Sequence, residues 1–218
     1  MMTRRQASLA LLSSATLAAP RRAGAALSAI ALPAPRRGFG KSLAEALQAR
    51  RSIREFTTAA LPDQLVSDLL WGAFGINRPQ SGDRTAPSWR HSIELELHVA
   101  TAQGVWRYEP HGHRLVPELA RDIRADTGTQ DFVGQAPLNL VYVADGARMG
   151  AGTPAADQHL YAYADSGFVG QNVYLFCASE GLATVFRGSL DRAKLASLLG
   201  LPETKFVTFA QSVGYPKG

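Results

Sequence analysis

The sequence predicts an α+β fold of three layers, α/β/α, built on a mixed, mainly antiparallel sheet with a central buried helix. Strand patterns at 93–99 and 105–108 suit an antiparallel pair, the run 138–144 is apolar on both faces, and 161–180 is apolar around most of a helix. This order of elements favours α+β over a regular strand-helix alternation. With 218 residues, 46% of them hydrophobic, the chain supports one sizeable core.

The chain between Ser42 and Gly75 predicts two helices. In "SLAE", Ser42 and the glutamate three residues later form a capping box, so the first helix begins there and ends near Arg51. The second helix has Pro62 in its first turn and stops at Gly75. The polar segment 76–88, rich in Pro and Gly, is predicted to be a loop.

The middle of the chain predicts the sheet. Residues 93–99 alternate apolar and polar, and 105–108 follow a Gln-Gly turn, so the two form an antiparallel hairpin. Residues 111–116 indicate a further edge strand, 117–127 a short helix, and 138–144 a strand buried on both faces.

The last third predicts the central helix and the elements after it. The helix occupies about 161–180 and ends at Gly181. A short strand or extended loop follows at 182–188, then a helix within 191–200 and a final strand within 205–216.

Charge and cysteine content exclude several classes of function. Seven of the 23 basic residues precede the first acidic residue, Glu45, which leaves 16 basic against 18 acidic residues in the rest. The body of the chain therefore lacks the footprint of a nucleic-acid-binding protein. The single cysteine, Cys177, excludes an internal disulfide and a thiolate metal cluster.

The basic head resembles an export signal. "TRRQASL" supplies twin arginines, and a short apolar stretch with small residues follows, too short and too rich in Ser for a permanent membrane anchor. We expect a twin-arginine (Tat) signal at 1–26, a linker at 27–40 and the folded domain at 41–218. A periplasmic location follows from this interpretation. The alternative is a disordered or mitochondrial-style leader, and without export the location is cytoplasmic.

The stretch "ARRSIREF" gathers cations at the end of the first helix. Arg50, Arg51 and Arg54, with the hydroxyl of Ser52, suit a phosphate group because guanidinium groups bind phosphate through two parallel bonds. Cations at a helix C-terminus are also favoured by the helix dipole without any ligand. Spacing alone leaves the two interpretations even.

Two further places contain unusual residues. Gly167 and Gly170 each cost about 1 kcal/mol inside a helix relative to alanine, so they admit a close neighbour, which is another helix or a flat ligand. Gln171 and Asn172 need polar partners on that helix. The segment 181–190 suits a turn that directs backbone N–H groups at a ligand, or a turn alone.

Other candidates for chemistry are weak. His111 and His113 have the spacing of a metal pair, but a Pro/Gly turn without a nearby cysteine favours solvated side chains. Hydrolase and P-loop motifs do not occur in the sequence. Cys177 is expected to be an inert core residue.

Together, these segments resemble the nitroreductase family of FMN flavoproteins over almost all of 41–216. The resemblance rests on "LAEALQARRSIREF", "LPDQLVSDLLWGAFGINR", "VGQAPLNLVYVAD", "DSGFVGQNVYLFCASEGLATVFRGSLD" and the closing "VGYP", in that order. The segment "GVWRYEPHGHRL" is more similar to the branch that contains thiazoline and oxazoline peptide oxidases.

The resemblance implies FMN as cofactor and assigns roles by position. Arg50 and Ser52, with Arg51 alongside, match the phosphate and ribityl site, and Lys217 matches the end of the phosphate site. Arg54 matches the residue at the pyrimidine edge of the flavin, and Pro87 and Ser88 match the segment from a partner subunit. The loop behind the isoalloxazine is matched by Phe186, Arg187 and Gly188. A backbone N–H of the loop is expected to point at flavin N5. The sequence departs from the family after "PS", so Trp89, Arg90 and His91 alter the substrate cleft.

The implied protein is a homodimer with FMN at its interface. It transfers hydride through flavin N5 by ping-pong alternation, to or from a small organic substrate, and no side chain acts as a nucleophile. No nucleic acid and no permanent membrane anchor are expected. The alternatives are a non-catalytic periplasmic protein that binds flavin or another planar ligand, and a dehydrogenase of azoline peptides.

Overall fold

The computed structural model describes residues 27–38 and 40–218, and the predicted export signal at 1–26 lies outside them. The strands are β1 (Ile30–Ala31), β2 (Ile76–Arg78), β3 (Asp83–Arg84), β4 (Leu95–Thr101), β5 (Gly104–Glu109), β6 (Arg114–Leu119), β7 (Leu138–Asp145), β8 (Ala183–Arg187) and β9 (Lys205–Gly214). The α-helices are α1 (Leu43–Ala49), α2 (Asp63–Phe74), α3 (Ala155–Glu180) and α4 (Arg192–Leu198).

Seven of these strands form one sheet with core on both faces. The order is β1-β6-β5-β4-β7-β9-β8, and each pairing in it is antiparallel. Because side chains alternate along a strand, Leu140 and Tyr142 of β7 pack toward α2 and α3, whereas Val141 and Val143 pack toward α4. The three-layer α+β fold predicted from the sequence is confirmed.

The first two helices form where the sequence predicted them. Ser42 caps α1 through the predicted capping box with Glu45. Pro62 is the N-cap of α2 and Gly75 its C-cap. Local signals at these helix ends were therefore sufficient.

The longest helix, α3, begins six residues before its predicted start and ends as predicted at Gly181, which is left-handed with a φ of 72°. Its first turns are polar or exposed, so apolar periodicity did not reveal them. Within the monomer only one face is buried: Leu160 is 61% exposed and Phe168 49%. No helix in the described ranges is both long and apolar enough to cross a membrane.

Residues 27–38, here named the strap, lie on the domain instead of forming the expected linker. β1 of the strap pairs with β6, and the Trp106 indole N–H donates to the Ser28 carbonyl at 3.1 Å. Arg36 holds the buried Asp68 through its backbone N–H at 2.7 Å and its Nε at 2.6 Å. The strap is rich in Ala and Pro and lacks periodicity, so its few apolar contacts were not apparent in the sequence.

Two other segments differ from prediction. The predicted loop 76–88 contains a small hairpin, β2 with β3. The predicted helix 117–127 is instead the end of β6 followed by a 3-10 turn at Arg124–Thr127. Pro117 lies within β6 opposite Trp106; proline is poorly suited to a helix interior, and sheet pairing continues through it.

Candidate functional site

The arginine segment, residues 50–56, leaves α1 and runs beside the free edge of β8. The Ile53 backbone N–H donates to the Thr184 carbonyl at 2.9 Å, which fixes the segment against the strand. At its end Phe56 forms a β-bridge with Pro216. The backbone N–H of Lys217 donates to the Glu55 carbonyl at 3.2 Å. The predicted cationic residues at the two ends of the domain sequence are therefore neighbours in space.

Tyr174 of α3 joins the arginine segment to β8. Its hydroxyl lies 2.7 Å from the Ser52 Oγ and accepts from the Phe186 backbone N–H at 2.9 Å. The Arg50 guanidinium lies over the Tyr174 ring, 5.3 Å from its centroid. Ser52, Phe186 and Arg50 thus all contact one side chain, Tyr174, which lies in the helix predicted from its apolar residues. The signal was available, because a tyrosine hydroxyl on a packed helix needs a polar partner.

Arg51 and Arg54, the other arginines of the segment, have different surroundings. The Arg51 guanidinium donates to the carbonyls of Gln48 and Arg50, each at 2.9 Å. Arg51 therefore neutralises the C-terminal end of α1, which is the role that needs no ligand. Arg54 is exposed on the same segment.

The cations of this site have no carboxylate partner within the described part of the chain. The ion pairs of the structure include none with Arg50, Arg54 or Lys217. Uncompensated cations gathered at one place favour an anion. Without Arg54, which the resemblance places at the flavin ring, the donor set is one guanidinium group, one ammonium group and a hydroxyl, and this set has the chemistry that the FMN phosphate requires.

Arg187 does not offer its side chain to this site. It is 3% exposed, and its guanidinium donates to the Thr127 carbonyl at 2.8 Å and to Asn139 Oδ1 at 3.2 Å. Burial lowers its pKa to about 10. Because side chains alternate along β8, Phe186 points toward α3 and Arg187 toward the opposite face. Only the backbone of Arg187 is available at the predicted flavin loop, and Gly188 follows it at an exposed position.

The two helix glycines have different surroundings. A Cβ on Gly170 would lie 2.5 Å from the Phe186 ring, so Gly170 provides space for that ring. A Cβ on Gly167 meets no described atom within 4 Å. Gln171 is exposed, and Asn172 donates to the Ala73 carbonyl at 3.2 Å. The neighbour of Gly170 is therefore a side chain of strand β8, and not the other helix or the flat ligand expected from the sequence.

Pro87 and Ser88 do not join the Tyr174 cluster within one chain. They begin the Trp89 loop, residues 87–93, which lies against the N-terminal half of α3: the Trp89 backbone N–H donates to Asp165 Oδ2 at 2.7 Å. Asp165 and Tyr174 are nine residues apart on the helix, which separates them by about 13 Å along its axis. The predicted site residues therefore form two groups on α3.

The structure shows the surroundings of His111, His113 and Cys177. His111 is exposed as predicted. His113 differs from the solvated side chain expected: its Nε2 lies 2.7 Å from Ser67 Oγ and its Nδ1 2.9 Å from the Tyr108 hydroxyl, and burial lowers its pKa. The described residues contain no group of three or more ligands able to hold a metal ion. Cys177 is buried, which raises the pKa of its thiol, so the expected core role is confirmed.

The chain matches the model of a known protein family. The model of the Nitroreductase family matches residues 47–215, which is well over half of the chain. The chain belongs to the nitroreductase family. Members of this family are typically flavin-dependent oxidoreductases, and the matched region contains the arginine segment, the Trp89 loop, α3 and β8.

Individual relatives agree with this membership. A solved structure of a nitroreductase from Ralstonia eutropha is 40% identical, with a TM-score of 0.83, covering 88% of this chain and 93% of that one. A curated nitroreductase from Methanocaldococcus jannaschii is 29% identical over 172 residues, 74% of this chain and 85% of the relative. The NADPH-flavin oxidoreductase of Vibrio harveyi is 26% identical over 179 residues, 79% of this chain and 65% of the relative, so this chain spans less than two thirds of that enzyme.

Proposed function

We propose that the protein is an FMN-dependent oxidoreductase that transfers hydride by ping-pong alternation. The observation that carries the proposal is a set of cations without ion-pair partners: Arg50 and Arg54 lie on the arginine segment, where Ser52 bonds to Tyr174, and Lys217 is bound to that segment through the Glu55 carbonyl. When bound, FMN supplies the two-electron chemistry at N5, so the protein needs no nucleophilic side chain of its own.

The residues of the chain bind and orient the cofactor. Arg50, Lys217 and the Ser52 hydroxyl hold the phosphate end, and Arg54 lies toward the pyrimidine edge of the ring, where a cation favours the anionic reduced flavin. Tyr174 keeps Ser52 in place from behind. Arg51, which is bound to the end of α1, contributes charge only at longer range.

We propose one backbone N–H group as the donor to flavin N5. β8 is an edge strand of the sheet, and its free edge carries the Thr184 carbonyl, bound by Ile53, and the Phe186 N–H, bound by Tyr174. Alternate residues of a strand direct their backbone groups to the same edge. Gly188 is next in this series, so its N–H is the donor that we assign to N5.

A homodimer completes the site. Pro87 and Ser88 lie about 13 Å along α3 from the Tyr174 cluster, so they reach an FMN only if a second copy brings them to it. The uncovered face of α3, with Phe168 49% exposed and Leu160 61% exposed, and the open space beside Gly167 supply a surface for that second copy. The exposed Leu43 and Leu47 of α1 extend it.

The electron donor depends on where the protein works. The twin arginines of the N-terminal sequence support export in the folded state, and the periplasm is not supplied with NADPH. We therefore propose a donor other than a nicotinamide, with oxygen, a quinone or a small organic molecule as the second substrate. The Vibrio harveyi relative is named for NADPH, which makes a direct comparison informative.

The decisive experiment is purification of the full chain, followed by absorbance spectroscopy and extraction of any bound flavin. A yellow protein with stoichiometric FMN that bleaches on reduction is expected, and a colourless protein that refuses added FMN would overturn the proposal. Stopped-flow reduction by NADH, NADPH and non-nucleotide reductants then compares donors; fast reduction by NADPH contradicts the export argument. Tight flavin binding without turnover by any donor indicates the non-catalytic binding protein instead.

One observation favours a second candidate, a dehydrogenase of azoline peptides. The segment "GVWRYEPHGHRL", which resembles that branch, folds as β5 and the start of β6 next to the strap. Oxidation of a thiazoline-containing peptide, followed by mass spectrometry for the loss of two hydrogens, distinguishes this substrate class from nitroaromatic or quinone acceptors.

A further inference from the structure

The Trp89 loop contains unusual backbone strain. Arg90, His91 and Ile93 all have positive φ angles, 48°, 56° and 48°. Each is a non-glycine residue, and Ile93 is β-branched, so each position is strained and persists only where its surroundings enforce it. Something must therefore hold this loop in place.

Two carboxyl groups hold it. Glu94 Oε2 accepts from the hydroxyls of Ser88 at 2.8 Å and Ser92 at 2.6 Å, and Asp165 Oδ2 accepts from the Trp89 backbone N–H at 2.7 Å. The Trp89 ring also stacks on Tyr161 with centroids 4.6 Å apart and planes at 16°. The hydroxyl and amide contacts of the loop thus go to the carboxyl pair, Asp165 and Glu94, and its aromatic contact goes to Tyr161 on the same helix as Asp165.

No cation neutralises the carboxyl pair. Glu94 is fully buried and Asp165 is 4% exposed, and neither takes part in an ion pair of the described residues. The charged side chains of the Trp89 loop, and Arg148, which donates to the Ile93 carbonyl, have other partners: Arg90 lies over the Trp89 ring, His91 faces Asp83, and Arg148 binds Glu96 and Asp145.

Glu94 Oε1 has no hydrogen-bond partner among the described residues. A second buried carboxylate without a cation is strongly unfavourable, whereas a proton on Asp165 removes one charge and supplies a donor for the orphan oxygen. Burial, together with the hydrogen bond and charge of Glu94, raises the pKa of Asp165 to about 7.

We propose that Asp165 carries a proton, which it donates to the unpartnered Glu94 Oε1, and that this contact is the positioning device that fixes Ser88 and Trp89. The pair acts through the loop and does not touch substrate. Its relevance to the flavin cleft rests on the proposed function, in which Ser88 approaches the FMN of the partner. Loss of the proton places two charges in the same buried space, and the strained loop is then released.

The first test is infrared spectroscopy of the full chain across the pH range from about 5.5 to about 8.5, where ordinary carboxyl groups are ionised. The wild type should show the carbonyl band of one protonated carboxylic acid at the acidic end, and the band should vanish with a midpoint near 7. Absence of the band at the acidic end overturns the proposal. Glu94→Gln should shift the midpoint of the band to lower pH, because the hydrogen bond and charge of Glu94 are lost while the burial of Asp165 remains.

The second test follows tryptophan fluorescence over the same range, with Trp89→Phe to identify the contribution of Trp89. Asp165→Asn keeps the acceptor for the Trp89 N–H and offers an amide N–H to Glu94, so it mimics the protonated acid and should abolish the pH-dependent change. Asp165→Ala should show the released loop at every pH, and the exposed Asp157→Asn on the same helix should behave as wild type. An unchanged transition in Asp165→Asn contradicts the proposal. Neither readout requires flavin, so a failure here is distinct from a failure of the proposed function.

Discussion

At the scale of single residues, the arginines of the segment make different contacts. Arg51 binds the end of its own helix, whereas Arg50 lies over Tyr174 beside Ser52. Guanidinium groups so close in sequence looked alike because spacing does not show which carbonyls or rings lie within reach.

Replacing Arg50 and Arg54 separately should distinguish the two ends of the cofactor. Arg50→Ala should weaken FMN binding by roughly 10- to 100-fold, since hydrogen bonds to charged groups contribute about 1.5–3 kcal/mol. Arg54→Ala should keep FMN but lower its reduction potential, by about 30 mV for each 1.4 kcal/mol of lost stabilisation. Arg51→Ala is the matched control with little effect on either. Fluorescence titration and spectroelectrochemistry measure the two quantities, and the reverse pattern would mean that the ends are exchanged.

Tyr174→Phe should show how much the hydroxyl of Tyr174 contributes. The ring contact with Arg50 is retained, but the Phe186 N–H and the Ser52 hydroxyl lose their common partner. We expect a loss of about 1–2 kcal/mol in unfolding free energy and a weaker FMN affinity. The affinity for FMN is measured by calorimetric titration of the wild type and of Tyr174→Phe. Equal affinity in the two proteins would show that Ser52 is positioned without Tyr174.

At the scale of elements, β8 is an edge strand of the sheet, and we propose that its free edge faces the cofactor. Gly188→Pro removes the N–H that we assign to flavin N5, so reduction should slow while phosphate binding persists. Gly188→Ala is the control, because its Cβ would lie 3.5 Å from the Phe209 ring, an ordinary contact, and the N–H remains. Stopped-flow reduction and FMN affinity are the measurements. Equal rates for the two variants would move the donor to another residue.

The packing of α3 on β8 gives a second element-scale prediction. Gly170→Ala forces a methyl group to within 2.5 Å of the Phe186 ring, and that ring is also held by Tyr142 and Phe209. Overpacking should lower the unfolding free energy by about 1–3 kcal/mol in urea. Gly167→Ala, where the space is open, should be neutral or stabilising by up to about 1 kcal/mol in the monomer. Similar losses in both variants would refute this account.

The elements also show what the sequence could reveal. α1 and the end of α3 were predicted because a capping box and a left-handed glycine are local signals. β1 was missed because two residues of strand are stabilised only by their partner β6. Glu94 and Asp165 were missed for the same reason: 71 residues separate them in the chain, and only the fold brings them to one loop.

At the scale of the whole molecule, three buried groups predict where stability is greatest. On the sheet face opposite α3, Lys205 and His98 lower the pKa of Glu96 to about 2 despite its burial. Glu118 and Glu96 raise the pKa of His98 against the opposing effect of burial. Asp165 has its pKa raised to about 7.

The signs follow from proton linkage. Glu96 binds its proton more weakly when folded, so its contribution of roughly 3 kcal/mol is lost as pH falls from about 4.5 toward 2. His98 and Asp165 bind their protons more tightly when folded. Stability therefore declines as pH rises from about 4 to about 7 through Asp165, and further from about 6.5 through the raised pKa of His98.

We therefore expect maximal stability in mildly acidic solution, measured by urea unfolding at a series of pH values. Asp165→Asn should flatten the decline between about pH 4 and about pH 7, and His98→Gln the decline above it. A stability maximum above pH 8 would contradict these assignments.

The contacts of the strap begin upstream of the part of the chain that matches the family model. Similarity to the nitroreductase family starts at residue 47, yet β6 and Asp68 have their partners upstream, at 30–36. A gene fragment cut at the start of the similarity would encode a protein with a bare edge strand and a buried carboxylate that has lost its guanidinium partner. The segment that matches the family model is thus shorter than the segment that contains the contacts of β6 and Asp68.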